Sequence, residues 1–180
     1  GTWALALVLA LVAWRRRPAP GALPLALLLL AVAEWSGCYA LELARRDRSF
    51  AFFCARMGYL GIVTVPAAWL VLVLQYTGHE HWLARRRWLL LTVEPVLTLL
   101  LVWTNDLHGL LWSRFERVTQ GTYTLTSVTH GAWWWVHFAY SYLLLLSGAV
   151  ILVRELLRAS PPFRGQILAL LSGALLPWLA

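Results

Sequence analysis

Apolar residues fall along this chain in long runs parted by short arginine-bearing stretches. Six such runs stand out: Gly1 to Trp14, about Ala22 to Ala44, Phe50 to about Tyr76, Trp88 to Thr104, Ala132 to Val153, and about Gln166 to Ala180. A helix crossing a bilayer needs about 20 apolar residues, and the four middle runs are near that length. In lipid every backbone N–H and C=O must find its partner inside the segment, so each run is expected to be helical. The predicted fold class is all-α, a polytopic transmembrane helix bundle, with residues 1–180 forming one membrane-embedded domain. Pro66 and Pro95 lie inside the third and fourth runs, where each removes one helical hydrogen bond and predicts a kink. Neighbouring groups are expected to satisfy the carbonyls so freed.

The longest connection, Asn105 to Gly131, opens with a short amphipathic turn over Asp106–Trp112. Arg114 to Thr129 then alternates Thr, Val and Tyr about Gln120-Gly121, which predicts a β-hairpin over the outer mouth of the bundle. Loops one, three and five hold nine arginines (Arg15–Arg17, Arg85–Arg87, Arg154, Arg158, Arg164). Loops two and four hold five (Arg45, Arg46, Arg48, Arg114, Arg117). Basic loops stay in the cytoplasm, so the N-terminus and the hairpin are expected outside. Tryptophans mark both boundaries: Trp14, Trp82 and Trp88 at one, Trp103, Trp112 and Trp133–Trp135 at the other.

Composition agrees with a membrane protein. The chain is 61% hydrophobic and 13% charged, against about 25% charged in soluble domains. The net charge of +7 comes from 15 cations that are all arginine. Their clustering between apolar runs reads as topology, not as a nucleic-acid footprint, and no nucleic-acid partner is expected. The absence of lysine removes the residue a retinal Schiff base would need. No phosphate loop, nucleophile elbow or internal repeat is visible, so no catalytic role and no cofactor are expected. Cys38 and Cys54 read as packed thiols. The chain opens without Met inside one apolar run and ends inside another, so it reads as part of a longer protein. Positive charge follows the first run instead of preceding it, which argues against a cleaved signal peptide.

Four ionisable residues fall within apolar runs: Glu34, Glu42, Arg56 and Glu94. Such residues cost about 2.5–3.5 kcal/mol at the bilayer centre and usually face the bundle interior in pairs. A structural ion pair of Arg56 with Glu42 or Glu34 is expected. Glu34 and Glu94, deeper and with no second cation, are candidates for function. Helical spacing puts Glu94, Thr98 and Asn105 on one stripe and Trp133, His137 and Tyr140 on another. With Tyr39 and Tyr59 these would line an outward polar-aromatic pocket, and His108 and Trp112 stand at its loop. The competing reading is interhelical hydrogen bonding with an aromatic belt. His108, His130 and His137 cluster near the outer face, but at unmatched depths, so no metal site is expected.

Several segments resemble the N-terminal seven-helix region of bacterial sensor histidine kinases. They are Glu42-Leu43-Ala44, Arg56 to Gly61 with Pro66, Tyr76-Thr77-Gly78, Pro95, and Thr104-Asn105 with His108 and Trp112. Trp134 to His137 with Tyr140 and Tyr142, Arg164-Gly165-Gln166 and Pro177-Trp178 complete the set. The resemblance implies seven helices, of which six are represented, an extracytoplasmic N-terminus in the bacterial inner membrane, and a cytoplasmic output module in the same chain. It also implies a sensory input role for a ligand, small molecule or lipid; a second copy of the chain, as a homodimer, is a further candidate partner. The rival reading is a transporter or channel-like subunit with Glu34, Arg56 and Glu94 on a permeation path. No broken-helix pair or repeat favours it.

Overall fold

The structure, a computed structural model, describes residues 2–17, 19–44, 47–83, 87–120, 123–158 and 161–175. Among them are helices α1 (Thr2–Arg15), α2 (Ala22–Ala44), α3 (Arg48–Tyr76), α4 (Arg87–Trp103) and the one-turn α5 (Asn105–His108). Strands β1 (Trp112–Gln120) and β2 (Tyr123–His130) follow, then α6 (Ala132–Arg158) and α7 (Pro161–Leu175). A 3-10 turn occupies Glu80–Leu83. Arg45, Arg46, Arg85, Arg86, Gly121, Pro177 and Trp178 lie outside the described residues.

Helices α2, α3 and α6, of 23, 29 and 27 residues, are long and apolar enough to cross a membrane. Helix α4 has 17 residues, about 25 Å at helical rise, the same length as the apolar run that predicts it and shorter than those three. Two boundaries also differ from the apolar runs. Helix α6 continues past Val153 to Arg158, because a helix has no reason to stop where its apolar residues do when arginines can carry it into the headgroups. Helix α7 begins at Pro161, five residues before Gln166, because proline is favoured in the first helical turn, where its missing N–H is not needed. Helix α3 starts on a side-chain cap: Asp47 Oδ2 accepts the Phe50 N–H at 2.7 Å.

Helix α3 is the hub, packing on α2, α4 and α6, while α1 lies on α2 and α7 on α6. Two glycines set the crossings. A Cβ at Gly61 would sit 2.3 Å from the Ala31 carbonyl oxygen, so α2 and α3 approach backbone to backbone. A Cβ at Gly148 would sit 2.3 Å from Trp69 Nε1, so the indole lies across α6 and donates to the Leu145 carbonyl at 3.2 Å. Trp69, Leu72, Val73, Leu152, Ile167 and Leu171 form one core, and Tyr59, Val63, Val102, Leu111 and Trp112 another.

Side-chain contacts sort the loops to two ends. Gly21 N–H donates to Gln75 Oε1 at 3.2 Å, and Tyr76 Oη donates to Gln166 Oε1 at 2.9 Å. These gather loop one, the end of α3 and the start of α7. At the other end β1 and β2 form the expected antiparallel hairpin, from Trp112↔His130 to Gln120↔Tyr123, with an irregularity between Trp112 and Arg114. Gly131 backs directly onto the Leu110 carbonyl, where a Cβ would meet oxygen at 2.2 Å.

A buried polar cluster between α4 and α6

The fourth-helix stripe brings Glu94 and Thr98 to α6, one turn apart on the same face. Thr98 Oγ1 donates to Glu94 Oε1 at 2.7 Å, and Trp133 Nε1 donates to Thr98 Oγ1 at 2.9 Å. His137 Nδ1 lies 2.9 Å from the same carboxylate oxygen. With that oxygen accepting, the proton of this contact sits on Nδ1, and Nε2 lies 3.4 Å from Ser141 Oγ. The His137 and Glu94 side chains are only 6% and 13% exposed. Glu94 Oε2 is buried with no hydrogen-bond partner among the described residues.

The proline beside Glu94 supplies another tie. Pro95 has no N–H to offer the carbonyl four residues back, at Leu91. Tyr140 Oη donates to that carbonyl at 3.0 Å. The carbonyl freed on α4 is thus satisfied by a hydroxyl from α6, as expected of a proline tolerated inside a membrane helix.

An aromatic column runs from this cluster to the long loop. Tyr59 lies 6.2 Å from the His137 ring and packs edge-on against Trp112 at 5.3 Å. Trp112 in turn meets Phe52 at 5.5 Å. Asn105 holds the backbone here: its Oδ1 accepts from Leu111 N and Trp112 N at 2.9 and 3.2 Å, and its Nδ2 donates to Trp112 O at 2.9 Å. His108 locks the same turn. Leu110 N–H donates to its Nδ1 at 3.0 Å, which leaves Nε2 to donate to Thr104 Oγ1 at 3.1 Å. Above lies a cleft of about 630 Å³, whose wall includes Phe52, Asn105, Asp106, His108 and Trp112.

Several expected placements change. Arg56 meets Asp106 at 2.6 Å, where Glu42 or Glu34 had been expected. Its guanidinium also lies 4.1 Å over the Phe52 ring, so an aromatic face and an acid of loop four together hold the cation. Glu34 Oε2 accepts the Gly61 N–H at 2.9 Å, and Oε1 accepts from Cys38 Sγ at 3.2 Å, so this carboxylate serves the α2–α3 crossing. Glu42 is buried at the end of α2. Tyr39 is 56% exposed on α2 and takes no part in the cluster. Asn105 joins the loop instead of the Glu94 stripe. Trp112 and Trp133 turn inward, leaving Trp103 and Trp135 as the exposed indoles at that end.

Asp106 and Ser141 were not among the candidate site residues. The signal for one of them was present: Ser141 stands one turn from His137. Among the described residues no group of three His, Cys, Asp or Glu is placed to hold a metal ion.

No curated protein and no solved structure matches this chain. The family described as the N-terminal 7TM region of histidine kinase matches residues 1–180, the whole chain. The apolar helices, the buried interhelical polar contacts and that full-length match agree, and the chain belongs to the family of N-terminal 7TM regions of histidine kinases, a membrane-embedded sensory region.

Proposed function

We propose that this region senses a small-molecule or lipid stimulus in its hairpin-side half, and that the Glu94–His137 contact is the element the stimulus acts on. The observation that carries this reading is a carboxylate and an imidazole 2.9 Å apart, joining α4 to α6, with a second carboxylate oxygen left unpartnered among the described residues. A buried acceptor without a donor is unfavourable by about 1–3 kcal/mol. A state that brings a donor to Oε2 is therefore favoured by a comparable amount. The Tyr59–Trp112–Phe52 column supplies packed contacts between the cleft and this pair. Helix α6 would pass the change on toward a histidine-kinase output module in the same chain, since a ligand shifts such an equilibrium by its differential affinity for the two states.

The test uses the full-length protein with its output module, compared at equal abundance. Glu94→Gln keeps the shape and the Thr98 contact but removes the carboxylate, and is expected to shift basal output or response at least severalfold. Normal response per molecule, with only abundance reduced, would make the cluster packing glue and place sensing elsewhere.

The same reading places the region in the bacterial inner membrane with the hairpin outside, supported by the nine-to-five division of loop arginines. Single cysteines at Thr124 and Arg86 test it in intact cells with an impermeant thiol reagent. Thr124→Cys is expected to label and Arg86→Cys to stay protected; the reverse pattern would invert the orientation.

A further inference from the structure

A second cleft, of about 580 Å³, lies at the end of the bundle opposite the hairpin, between the last turns of α3, the 3-10 turn and the end of α6. Its composition changes along its length. On α6 the wall runs Ser147, Ile151, Arg154, Arg158, a stripe at helical spacing. Ser147 and Arg158 are eleven residues apart, about 16 Å along the axis, close to the thickness of one hydrocarbon leaflet. At the deep end Leu70 and Leu74 face this stripe from α3. At the rim stand His79 and Trp82, the latter 56% exposed.

Two cations therefore cap an apolar trough that opens where headgroups lie, with an indole beside them at the level indoles favour. Arg154 and Arg158 are exposed and have no ion-pair partner among the described residues. Glu155, half-buried in the same wall, offsets one of the two charges and leaves the rim net positive. A soluble anion would use the rim but not the trough. An uncharged lipid would use the trough but leave both guanidiniums facing each other across one helical turn.

We infer that this cleft is a binding site for an anionic phospholipid, its phosphate held by Arg154 and Arg158 and an acyl chain laid along Ile151, Leu70 and Leu74. Basic pockets between transmembrane helices bind lipid headgroups by this combination of charge and apolar wall. The site lies where α6 leaves the membrane, so its occupant ties the end of α6 to the end of α3. The inference rests on the chain crossing a bilayer and is independent of the Glu94–His137 reading.

The experiment places the purified chain in nanodiscs of phosphatidylcholine containing phosphatidylglycerol, and counts the lipids that remain bound in native mass spectra. Phosphatidylglycerol is expected to be retained about tenfold or more over phosphatidylcholine. Arg154→Gln with Arg158→Gln removes that preference, a loss on the order of ten- to thirtyfold for two near-surface cations. Arg158→Gln alone, at the last residue of α6, gives an intermediate loss without touching the packed wall. Arg15→Gln with Arg16→Gln removes two cations from the same end outside the cleft and leaves the preference intact. Glycerol phosphate in solution does not displace the lipid. Equal retention of the two lipids, an equal loss in the Arg15/Arg16 variant, or displacement by glycerol phosphate would each overturn the site.

Discussion

Asn105→Ala is expected to lower stability by about 3–5 kcal/mol and to free the hairpin from the bundle. The side chain makes three hydrogen bonds to the backbone of Leu111 and Trp112. Both of those residues are buried, as is Asn105 itself, so water has little access to replace what alanine removes. Leaving a buried donor or acceptor unmade costs roughly 1–3 kcal/mol each, and three neighbouring groups relax together, so the sum falls below simple addition. The loss also reaches the aromatic column, because Trp112 is the ring that Tyr59 and Phe52 both pack against. Asn105→Asp separates the two roles of the amide. It keeps an acceptor for the two N–H groups but sets a carboxylate oxygen against the Trp112 carbonyl, and is expected to cost about 2 kcal/mol. Thermal unfolding in detergent, with limited proteolysis of the hairpin, measures both. A loss below 1 kcal/mol for Asn105→Ala would mean that the turn holds its shape without the amide.

That result would also explain why Asn105 reads from sequence as part of the Glu94 stripe. Counting Glu94, Thr98 and Asn105 along one face assumes that the helix continues, but α4 ends at Trp103 and the backbone at Thr104 has already left helical geometry, at φ −100° and ψ 9°. Periodicity is reliable inside an element and carries nothing past its end. Within the helices it served well: Glu94 with Thr98 on α4, and Trp133, His137 and Tyr140 on α6, meet as the two stripes require. Tyr39 shows the same rule from the other side. It stands five residues after Glu34, about 140° round the helix, and it is exposed where Glu34 reaches α3.

The Arg56 partner was illegible for a different reason. Depth along a helix can be estimated from the ends of an apolar run, which makes Glu42 and Glu34 the natural acids for Arg56. Depth says nothing about a loop that folds back over the bundle, and Asp106 arrives from such a loop. The lengths of α6 and α7 were likewise hidden, because hydropathy reports where lipid contact stops and not where helical hydrogen bonding stops. Asp47 and Pro161 mark two helix starts by backbone chemistry that an apolar scan does not weigh.

His137→Leu is expected to destabilise the region by about 3 kcal/mol, and the loss should shrink by half or more when Glu94 is already Gln. The reason lies in what each change leaves behind. Leucine fills the volume but withdraws the donor 2.9 Å from Glu94 Oε1, so a carboxylate with one oxygen already unpartnered keeps Thr98 as its remaining donor. Removing one member of a buried pair costs roughly 3–5 kcal/mol because the other is stranded. Glutamine strands far less: its carbonyl oxygen still accepts from Thr98, and its amide supplies donors of its own. A double-mutant cycle from unfolding in detergent isolates the coupling, since the residues touch and additivity holds only for independent sites. Additive losses would show two separate packing defects and no pair. A coupling of about 1.5 kcal/mol or more carries a consequence for signalling. A stimulus that exchanges this contact for another acts on an equilibrium weighted by that energy, a factor of about ten or more in population. Full switching from 1:99 to 99:1 needs roughly 5.5 kcal/mol, so the pair by itself would bias the bundle without fixing its state.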